Sequence, residues 1–342
     1  LVSRVFCAPG NAGTASVAEN VLLEPTDLDS LAAFAEKERI DLTVAGPEAS
    51  LVAGIVDFFT VRGLKVFGPA KDAARMEGSK VFAKELMRKY RIPTAPFEVF
   101  DAVSEAVSYI RKRGAPLVVK ADGLAAGKGV IVCQTDQEAL DAVNLVMEEK
   151  AFGAAGDRVV IEDLLRGEEA SYIVLTDGEK LIPMLPAQDH KAVFDGDAGP
   201  NTGGMGAYSP APVVSAELEE RILNEVMRPA VRAMAAEGRR YRGALYAGLM
   251  ILNGRPWVLE FNVRMGDPET QPVLMLMESD LVPLMLAVAE GELGEDVKLK
   301  WSPGASVCVV MASAGYPGQY EGGHEVRGLE QVLSMEGVQV FH

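Results

Sequence analysis

The run Leu117-Val118-Val119-Lys120-Ala121-Asp122-Gly123-Leu124-Ala125-Ala126-Gly127-Lys128-Gly129-Val130-Ile131-Val132 limits the possible folds more than any other stretch of the chain. Two short apolar runs, rich in β-branched residues, read as strands. Between them lies a loop of small residues, with Lys120 at its entry and Lys128 inside it. Such a loop lets backbone N–H groups approach phosphate oxygens, and the lysines add positive charge. A Walker loop is excluded, because Gly127-Lys128 leads to Gly129 and a strand, not to Ser or Thr and a helix. Strand–loop–strand instead suggests a flap that folds over a triphosphate. A solvated hairpin whose lysines aid solubility fits the same residues.

The rest of the chain supplies a frame for that unit. At 342 residues it is long enough for two or three domains. Residues 1–70 alternate short apolar runs with helical spacing: strand Val2–Cys7, helix Leu28–Glu38, strand Asp41–Ala45, a helix through Ile55 and Phe58-Phe59, then strand Lys65–Phe67. That alternation implies a parallel, doubly wound sheet, which binds ligands at the carboxyl ends of its strands. The loops Asn11–Gly13 and Pro47-Glu48 lie at those ends. Ser79 has the chemistry of an N-cap, and Phe82, Leu86 and Tyr90 then share one helix face. From Phe97 to Glu162 strands and helices alternate in a compact unit around the glycine loop. Residues 168–300 carry longer, antiparallel-type strands at Ser171–Thr176, Leu245–Leu252 and Trp257–Asn262. Residues 302–342 read as a small β-rich start, with strands at Ala305–Ala312 and Val338–Phe341. The expected division is 1–76, 77–300 with a mobile part at about 97–165, and 301–342, in an α/β and α+β multidomain chain.

Composition closes off other classes. Acidic residues number 49 against 33 basic ones, so the net charge of −16 argues against nucleic acid as the main partner. A small phosphorylated ligand needs only a local cluster of cations and stays allowed. No apolar run has the length needed to cross a bilayer, and no signal peptide is visible. Cys7, Cys133 and Cys308 are far apart, and neither they nor the three histidines show zinc spacing. Reduced thiols in a cytoplasmic protein are expected.

Three further stretches carry chemistry. Val159–Glu162 is a strand ending in Asp163-Leu164-Leu165-Arg166-Gly167-Glu168-Glu169. Backbone just past a buried strand can pair with an adenine edge, and a carboxylate can accept from ribose hydroxyls. An acidic turn at a domain junction fits as well. In Trp257-Val258-Leu259-Glu260-Phe261-Asn262-Val263-Arg264, alternation places Trp257, Leu259 and Phe261 in a core, with Glu260, Asn262 and Arg264 opposite. Glu260 and Asn262 are oxygen donors suited to Mg²⁺, and Arg264 suits a carboxylate or a transferring phosphate. A half-exposed strand with a polar face would look the same. Gln188-Asp189-His190-Lys191 precedes a glycine-rich loop, Gly199–Gly206, that could cradle a substrate. Lys191 is the better candidate there for an anionic partner, and His190 reads as a packed or surface residue. Asp267-Pro268 reads first as a helix start.

The order of these pieces resembles the ATP-grasp superfamily. Pro9–Thr14, Gly46-Pro47-Glu48, Gly78-Ser79-Lys80, Lys120–Gly129, Gly199–Pro210 and Glu260–Glu269 together resemble the phosphoribosylamine–glycine ligases, over essentially the whole chain. The resemblance implies ATP-dependent joining of glycine to 5-phospho-β-D-ribosylamine through a glycyl phosphate, in purine synthesis, with Mg²⁺ or Mn²⁺. It implies phosphate contacts from Lys80 and Lys120, and a flexible flap that includes Gly123, Gly127, Lys128 and Gly129. It implies an adenine hinge over Glu162, Asp163 and Leu165, and Glu169 on the ribose. Glu260 and Asn262 become the metal ligands, few enough that phosphates and water fill the shells. Arg264 is expected near the acyl phosphate, with Lys191 and Asp189 as candidate proton acceptors. Asn11, Gly13, Pro47, Glu48, Asn201, Thr202, Gly203 and Gly204 are expected at the substrates. A monomer is expected.

Leu1 opens inside a strand pattern and His342 stops one, so a piece trimmed at both ends is expected, lacking the family's first glycine-rich turn and part of its C-terminal domain. Two alternatives follow: a nucleotide-binding fragment without turnover, and an ATP-grasp ligase for another acid and amine. A dinucleotide dehydrogenase is disfavoured, since no Gly-x-Gly-x-x-Gly opens the first helix.

Overall fold

The computed structural model describes residues 2–125, 129–196, 198–294 and 297–342. A strand lasts only as far as its hydrogen-bonding partner, and this shortens the N-terminal strands. β1 (Phe6–Cys7) pairs in parallel with β2 (Glu19–Asn20). Helix α1 (Leu28–Glu38) follows, with the Asp27 side chain accepting from the Ser30 N–H. β3 (Thr43–Val44), α2 (Glu48–Ala53), α3 (Ile55–Thr60) and β4 (Val66–Phe67) form one crossover unit, and β3 and β4 are parallel. The strands expected over Val2–Cys7 and Asp41–Ala45 are thus confined to two residues each. Helix α4 (Lys71–Gly78) was not evident in the pattern; its buried residues are Ala73, Ala74 and Met76. Ser79 separates it from α5 (Lys80–Tyr90) and accepts from the Phe82 N–H, as its N-cap chemistry predicts.

The next unit is a four-stranded antiparallel sheet backed by helices. It comprises β5 (Phe97–Phe100), α6 (Val103–Arg113), β6 (Leu117–Ala121), β7 (Val130–Cys133), α7 (Asp136–Val143) and β8 (Val159–Asp163). A π-helical turn at Asn144–Glu148 continues α7. The strand order is β5-β8-β6-β7. On β6, Leu117, Val119 and Ala121 enter a core with Ile110, Val143 and Ile161. The strand's two-residue period then turns Val118 and Lys120 to the opposite face.

The larger sheet runs β10-β9-β15-β16, also antiparallel. β9 (Glu168–Thr176) and β10 (Leu181–Pro183) precede a smaller polar sheet. In that sheet β11 (Gln188–Asp189) pairs with β14 (Gly206–Ser209), and β12 (Ala192–Phe194) pairs with β13 (Ala198–Asn201) as a separate ribbon. The glycine-rich stretch therefore runs out along β13 and back into β14. Helices α8 (Ala216–Arg221) and α9 (Arg228–Ala236) cover the larger sheet, and β15 (Gly243–Leu252) lies inside it between β9 and β16. β16 (Arg255–Asn262) carries a bulge: Gly248 faces Glu260, but Leu249 faces Val258. The extra residue is Leu259, and it overturns the strict alternation read from the sequence. Val258 and Phe261 enter the core, while Leu259 joins Glu260 and Asn262 on the cavity side. Trp257 lines a separate surface cleft beside Pro93 and Phe97.

α10 (Thr270–Met275) begins after Glu269, later than Asp267-Pro268 suggested. α11 (Leu281–Glu290) follows, β17 (Ser306–Val309) pairs with β14, and α12 (Leu329–Leu333) is a short helix. Val338–Phe341 is not a strand; no ladder partner faces it among the described residues.

Three larger hydrophobic cores organise the described residues. One joins Leu51, Phe59 and Met87 to Tyr172, Leu245 and Phe261, so the N-terminal helices and the larger sheet share an interior. Another packs Ile173 and Leu175 of that sheet with Phe67, Val273 and Val288. The core of the smaller sheet and its helices is separate, and Ile161 is fully buried in it. Ile161→Ala should cost about 2–5 kcal/mol of stability, read from urea unfolding. A loss under about 1 kcal/mol would show that the unit is loosely packed.

Candidate functional site

A cavity of about 320 Å³ separates the two large sheets, with α5 along one side. Its apolar wall includes Val118, Val130, Met87, Leu165 and Met250. The backbone past β8, Asp163-Leu164-Leu165, lines it too. The Asp163 carboxylate turns to Arg113, which donates to both its oxygens at 2.8 Å. What Asp163 offers the cavity is main chain.

Beside this wall lies a lysine cluster. β6 and β8 are registered so that Val118 faces Glu162, which leaves Lys120 diagonal to Glu162. The Lys120 ammonium sits 2.5 Å from one Glu162 oxygen and donates to the Leu259 carbonyl at 3.0 Å. Lys84 pairs with the other Glu162 oxygen. Lys120 and Glu162 are 5% and 2% exposed. Lys80, in the first turn of α5, donates to the Gly123 carbonyl at 3.0 Å. Burial lowers its pKa, against the pull of Glu260. Burial likewise brings Lys84 down to about 8, although Glu162 opposes this.

Arg264 is held from two sides. Its Nε is 3.3 Å from Glu48 in the first turn of α2, and its Nη2 is 3.2 Å from Glu77 in α4. Glu77 also accepts from the Val263 N–H at 2.7 Å. Burial works against the Arg264 charge, but Glu77 and Glu48 raise its pKa.

The third cluster surrounds Glu260. The register Gly248–Glu260 gives that side chain room, since a Cβ on Gly248 would lie 3.3 Å from the Glu260 Cγ. Burial opposes the Glu260 charge, yet Lys191, Lys120, Lys80 and Arg264 lower its pKa and keep it ionised. Lys191 is 3.3 Å from Glu169 and 3.9 Å from Asp189. Burial disfavours its charge, but Asp189, Glu260, Glu169 and Glu269 outweigh that and raise its pKa. Asp189 is pushed up to about 7, first by burial and then by the carboxylates that share Lys191 with it. Glu269 is 3% exposed and accepts from Ser171 (2.9 Å) and Tyr246 (2.8 Å).

Most of the residues singled out from the sequence converge here. Lys80, Lys120, Gly123, Gly129, Glu162, Asp163, Leu165, Glu169, Asp189, Lys191, Asn201, Thr202, Gly203, Glu48, Glu260, Asn262 and Arg264 all line the cavity. Gly127 and Lys128 lie outside the described residues. Thr202 donates to the Lys191 carbonyl at 2.9 Å and so fixes that lysine's backbone. Gly204 instead packs against Pro268, in a conformation (φ +133°) that favours glycine. Pro47 starts α2 without lining the cavity. Asn11 and Gly13 lie elsewhere: the Asn11 amide donates to the His342 carbonyl at 2.7 Å, and the His342 ring covers Gly13. His190 is exposed and rests against the Tyr208 ring.

Sequence reasoning missed Glu77, Lys84 and Glu269. Each sits in or beside a helix with charged neighbours, where a solvated face is the ordinary reading. Glu77 has a measurable signature, because burial pushes its carboxyl from 4.5 up to about 7, partly offset by Arg264. Between those pH values the native state keeps a proton that the unfolded chain releases, so this group's contribution to stability falls as pH rises. In urea unfolding, wild type should lose on the order of 3 kcal/mol relative to Glu77→Gln across that window. Parallel pH profiles for the two proteins would show that Glu77 titrates like a solvated carboxylate.

The chain as a whole is similar to known proteins. A family profile described as the N domain of phosphoribosylglycinamide synthetase matches residues 1–77, and that family's ATP-grasp (A) domain profile matches residues 78–270. A phosphoribosylamine–glycine ligase of Vibrio parahaemolyticus is 54% identical over 344 aligned residues, spanning 100% of this chain and 80% of the relative. The crystal structure of phosphoribosylamine–glycine ligase from Thermotoga maritima superposes with a TM-score of 0.79 at 34% identity, covering 93% of this chain and 76% of that one. A biotin carboxylase complex from Campylobacter jejuni, 18% identical, superposes with a TM-score of 0.71 over 89% of this chain and 69% of that one, and so shares the fold alone. The chain belongs to the phosphoribosylglycinamide synthetase family.

Proposed function

We infer that this chain joins glycine to 5-phospho-β-D-ribosylamine at the expense of ATP, giving glycinamide ribonucleotide, ADP and phosphate, as a step of purine biosynthesis. The observation that carries this is one cavity lined by Lys80, Lys120, Lys191 and Arg264 together with the oxygen donors Glu260 and Asn262, in a chain of net charge −16. Phosphoryl transfer depends on positioning and charge neutralisation more than on covalent chemistry by the protein. A site of lysines, an arginine and oxygen donors suits it.

A glycine carboxylate oxygen attacks the γ-phosphorus, the bond to the β-phosphate oxygen breaks, and ADP leaves. The amine nitrogen of phosphoribosylamine then attacks the carbonyl carbon of glycyl phosphate, phosphate departs, and the nitrogen gives up a proton. Lys80 and Lys120 hold the phosphates. The backbone at 162–165, beside apolar Val118 and Met250, takes the adenine, and Glu169 takes the ribose. Arg264 faces the acyl phosphate. Of the two candidate proton acceptors, Asp189 suits the task, because Lys191 is kept charged by four carboxylates. A flap over residues 123–129, part of which lies outside the described residues, would close over the nucleotide and exclude water from the acyl phosphate. Residues 97–165 would move as the lobe that carries it, with 1–76 and 301–342 as flanking units. Asn11 and Gly13 would then serve the sugar phosphate away from the cavity proper.

The donor set fits Mg²⁺ or Mn²⁺. An ionised carboxylate and an amide oxygen on one strand face are hard ligands, and few of them suffice when phosphates complete the shell. Glu260 and Asn262 would hold the ion, which when bound neutralises phosphate charge. The reading expects a monomer in the cytoplasm. Among the described residues, no helix is long and apolar enough to cross a membrane.

ADP release should require ATP, a divalent cation, glycine and freshly made phosphoribosylamine together. Glu260→Gln with Asn262→Ala should lower turnover by about two to three orders of magnitude and abolish the metal dependence of ATP binding. Unchanged Mg²⁺-dependent ATP binding in that variant would remove both residues from the metal site. Turnover with another amine, but none with phosphoribosylamine, would overturn the substrate assignment.

A further inference from the structure

Lys84 belongs to none of the motifs read from the sequence, yet it is 2% exposed and lines the cavity. Its ammonium pairs with one oxygen of Glu162 and donates to the Thr94 hydroxyl at 2.6 Å. Thr94 in turn donates to the Val258 carbonyl at 2.7 Å. The next carbonyl, that of Leu259, accepts from Lys120, which is 2.5 Å from the other Glu162 oxygen. The groups close a ring across α5, the segment leading into β5, the β16 bulge, β6 and β8.

A buried ion pair is a poor device for stability alone, because desolvation offsets its attraction and apolar side chains of similar volume often serve as well. The arrangement has a different consequence. One carboxylate is shared by two ammonium groups, so the cluster keeps one unit of positive charge. Without Lys84, Glu162 and Lys120 would form a neutral pair, which attracts a polyphosphate far less than an uncancelled ammonium does.

We propose that Lys84 is a positioning residue for the nucleotide, occupying one oxygen of Glu162 so that the charge of Lys120 stays available to the polyphosphate. It does not touch the nucleotide itself. The proposal rests on the reading of this cavity as the ATP site.

The test compares wild type, Lys84→Met, and Lys84→Met with Glu162→Gln, each checked for a cooperative melt. Titration calorimetry measures affinity for ATP and for adenosine, which carries no phosphate. Lys84→Met should weaken ATP binding by about tenfold or more and change adenosine binding by less than about threefold. In turnover, KM for ATP should rise more than kcat falls. The double variant restores one net positive charge without Lys84, and its ATP affinity should return to within about threefold of wild type.

Equal losses for ATP and adenosine, or a double variant as weak as the single one, would overturn the proposal and leave Lys84 a packing residue. Should Lys84→Met fail to fold, the double variant decides alone: ATP affinity near wild type supports the charge argument, and a tenfold loss refutes it. A wild type that binds adenosine but not ATP, or neither, would instead refute the underlying assignment of the cavity.

Discussion

Charge compensation in a partly dehydrated cavity is the constraint on which this site rests. Among the described residues, five cations, Lys80, Lys84, Lys120, Lys191 and Arg264, line one space in an acidic chain. An isolated charge there would cost several kcal/mol. Nearly every one is therefore held by a named carboxylate: Lys120 and Lys84 by Glu162, Arg264 by Glu48 and Glu77, Lys191 by Glu169 and Asp189. Lys80 is satisfied by the Gly123 carbonyl. The side chains are thus fixed before any ligand arrives, which spares the reorganisation a solvated site would need. Carboxylates outnumber the cations along the wall, so a polyphosphate enters most favourably with cations of its own.

The fold makes that compensation possible by keeping two hydrophobic interiors apart. The smaller sheet turns Leu117, Val119 and Ile161 into its own core, and Lys120 and Glu162 follow on the other face by alternation. The larger sheet turns Phe261 and Val263 inward and leaves Glu260, Asn262 and Arg264 on the cavity side. The bulge at Leu259 lets both sets coexist with a buried Val258, and it aims a carbonyl at Lys120. Backbone from one sheet therefore satisfies a side chain from the other, across the gap in which a nucleotide would lie.

Much of this was legible in the residues. Phe97–Phe100 and Leu28–Glu38 were readable to the residue, because alternation or helical spacing coincided with clear breakers at their ends. Lys120, Glu162, Glu260 and Asn262 were found because each ends or interrupts an apolar strand, where a polar side chain needs a reason. Glu77 and Lys84 gave no such signal. A charged residue on a helix normally faces water, and nothing local says that α4 and α5 press these two against the larger sheet. The β16 bulge was hidden for a related reason: a one-residue slip depends on the partner strand, not on the strand's own sequence. The N-terminal strands were overestimated because apolar runs do not reveal how far a partner extends.

Arg264 shows how the two halves of the proposed reaction could share one site. Glu48 stands in the first turn of α2, just past the carboxyl end of β3. That is where a doubly wound unit presents its ligands. Glu77 reaches Arg264 from α4, and the Val263 N–H from β16's own continuation ties Glu77 down. The guanidinium is thereby anchored to the N-terminal unit while facing a cavity built mostly by the two larger sheets. A sugar amine delivered from the strand ends and an acyl group activated beside Glu260 would meet at that side chain. Its planar fork pairs with Glu48 and Glu77 at once, so α2 and α4 together fix where it points.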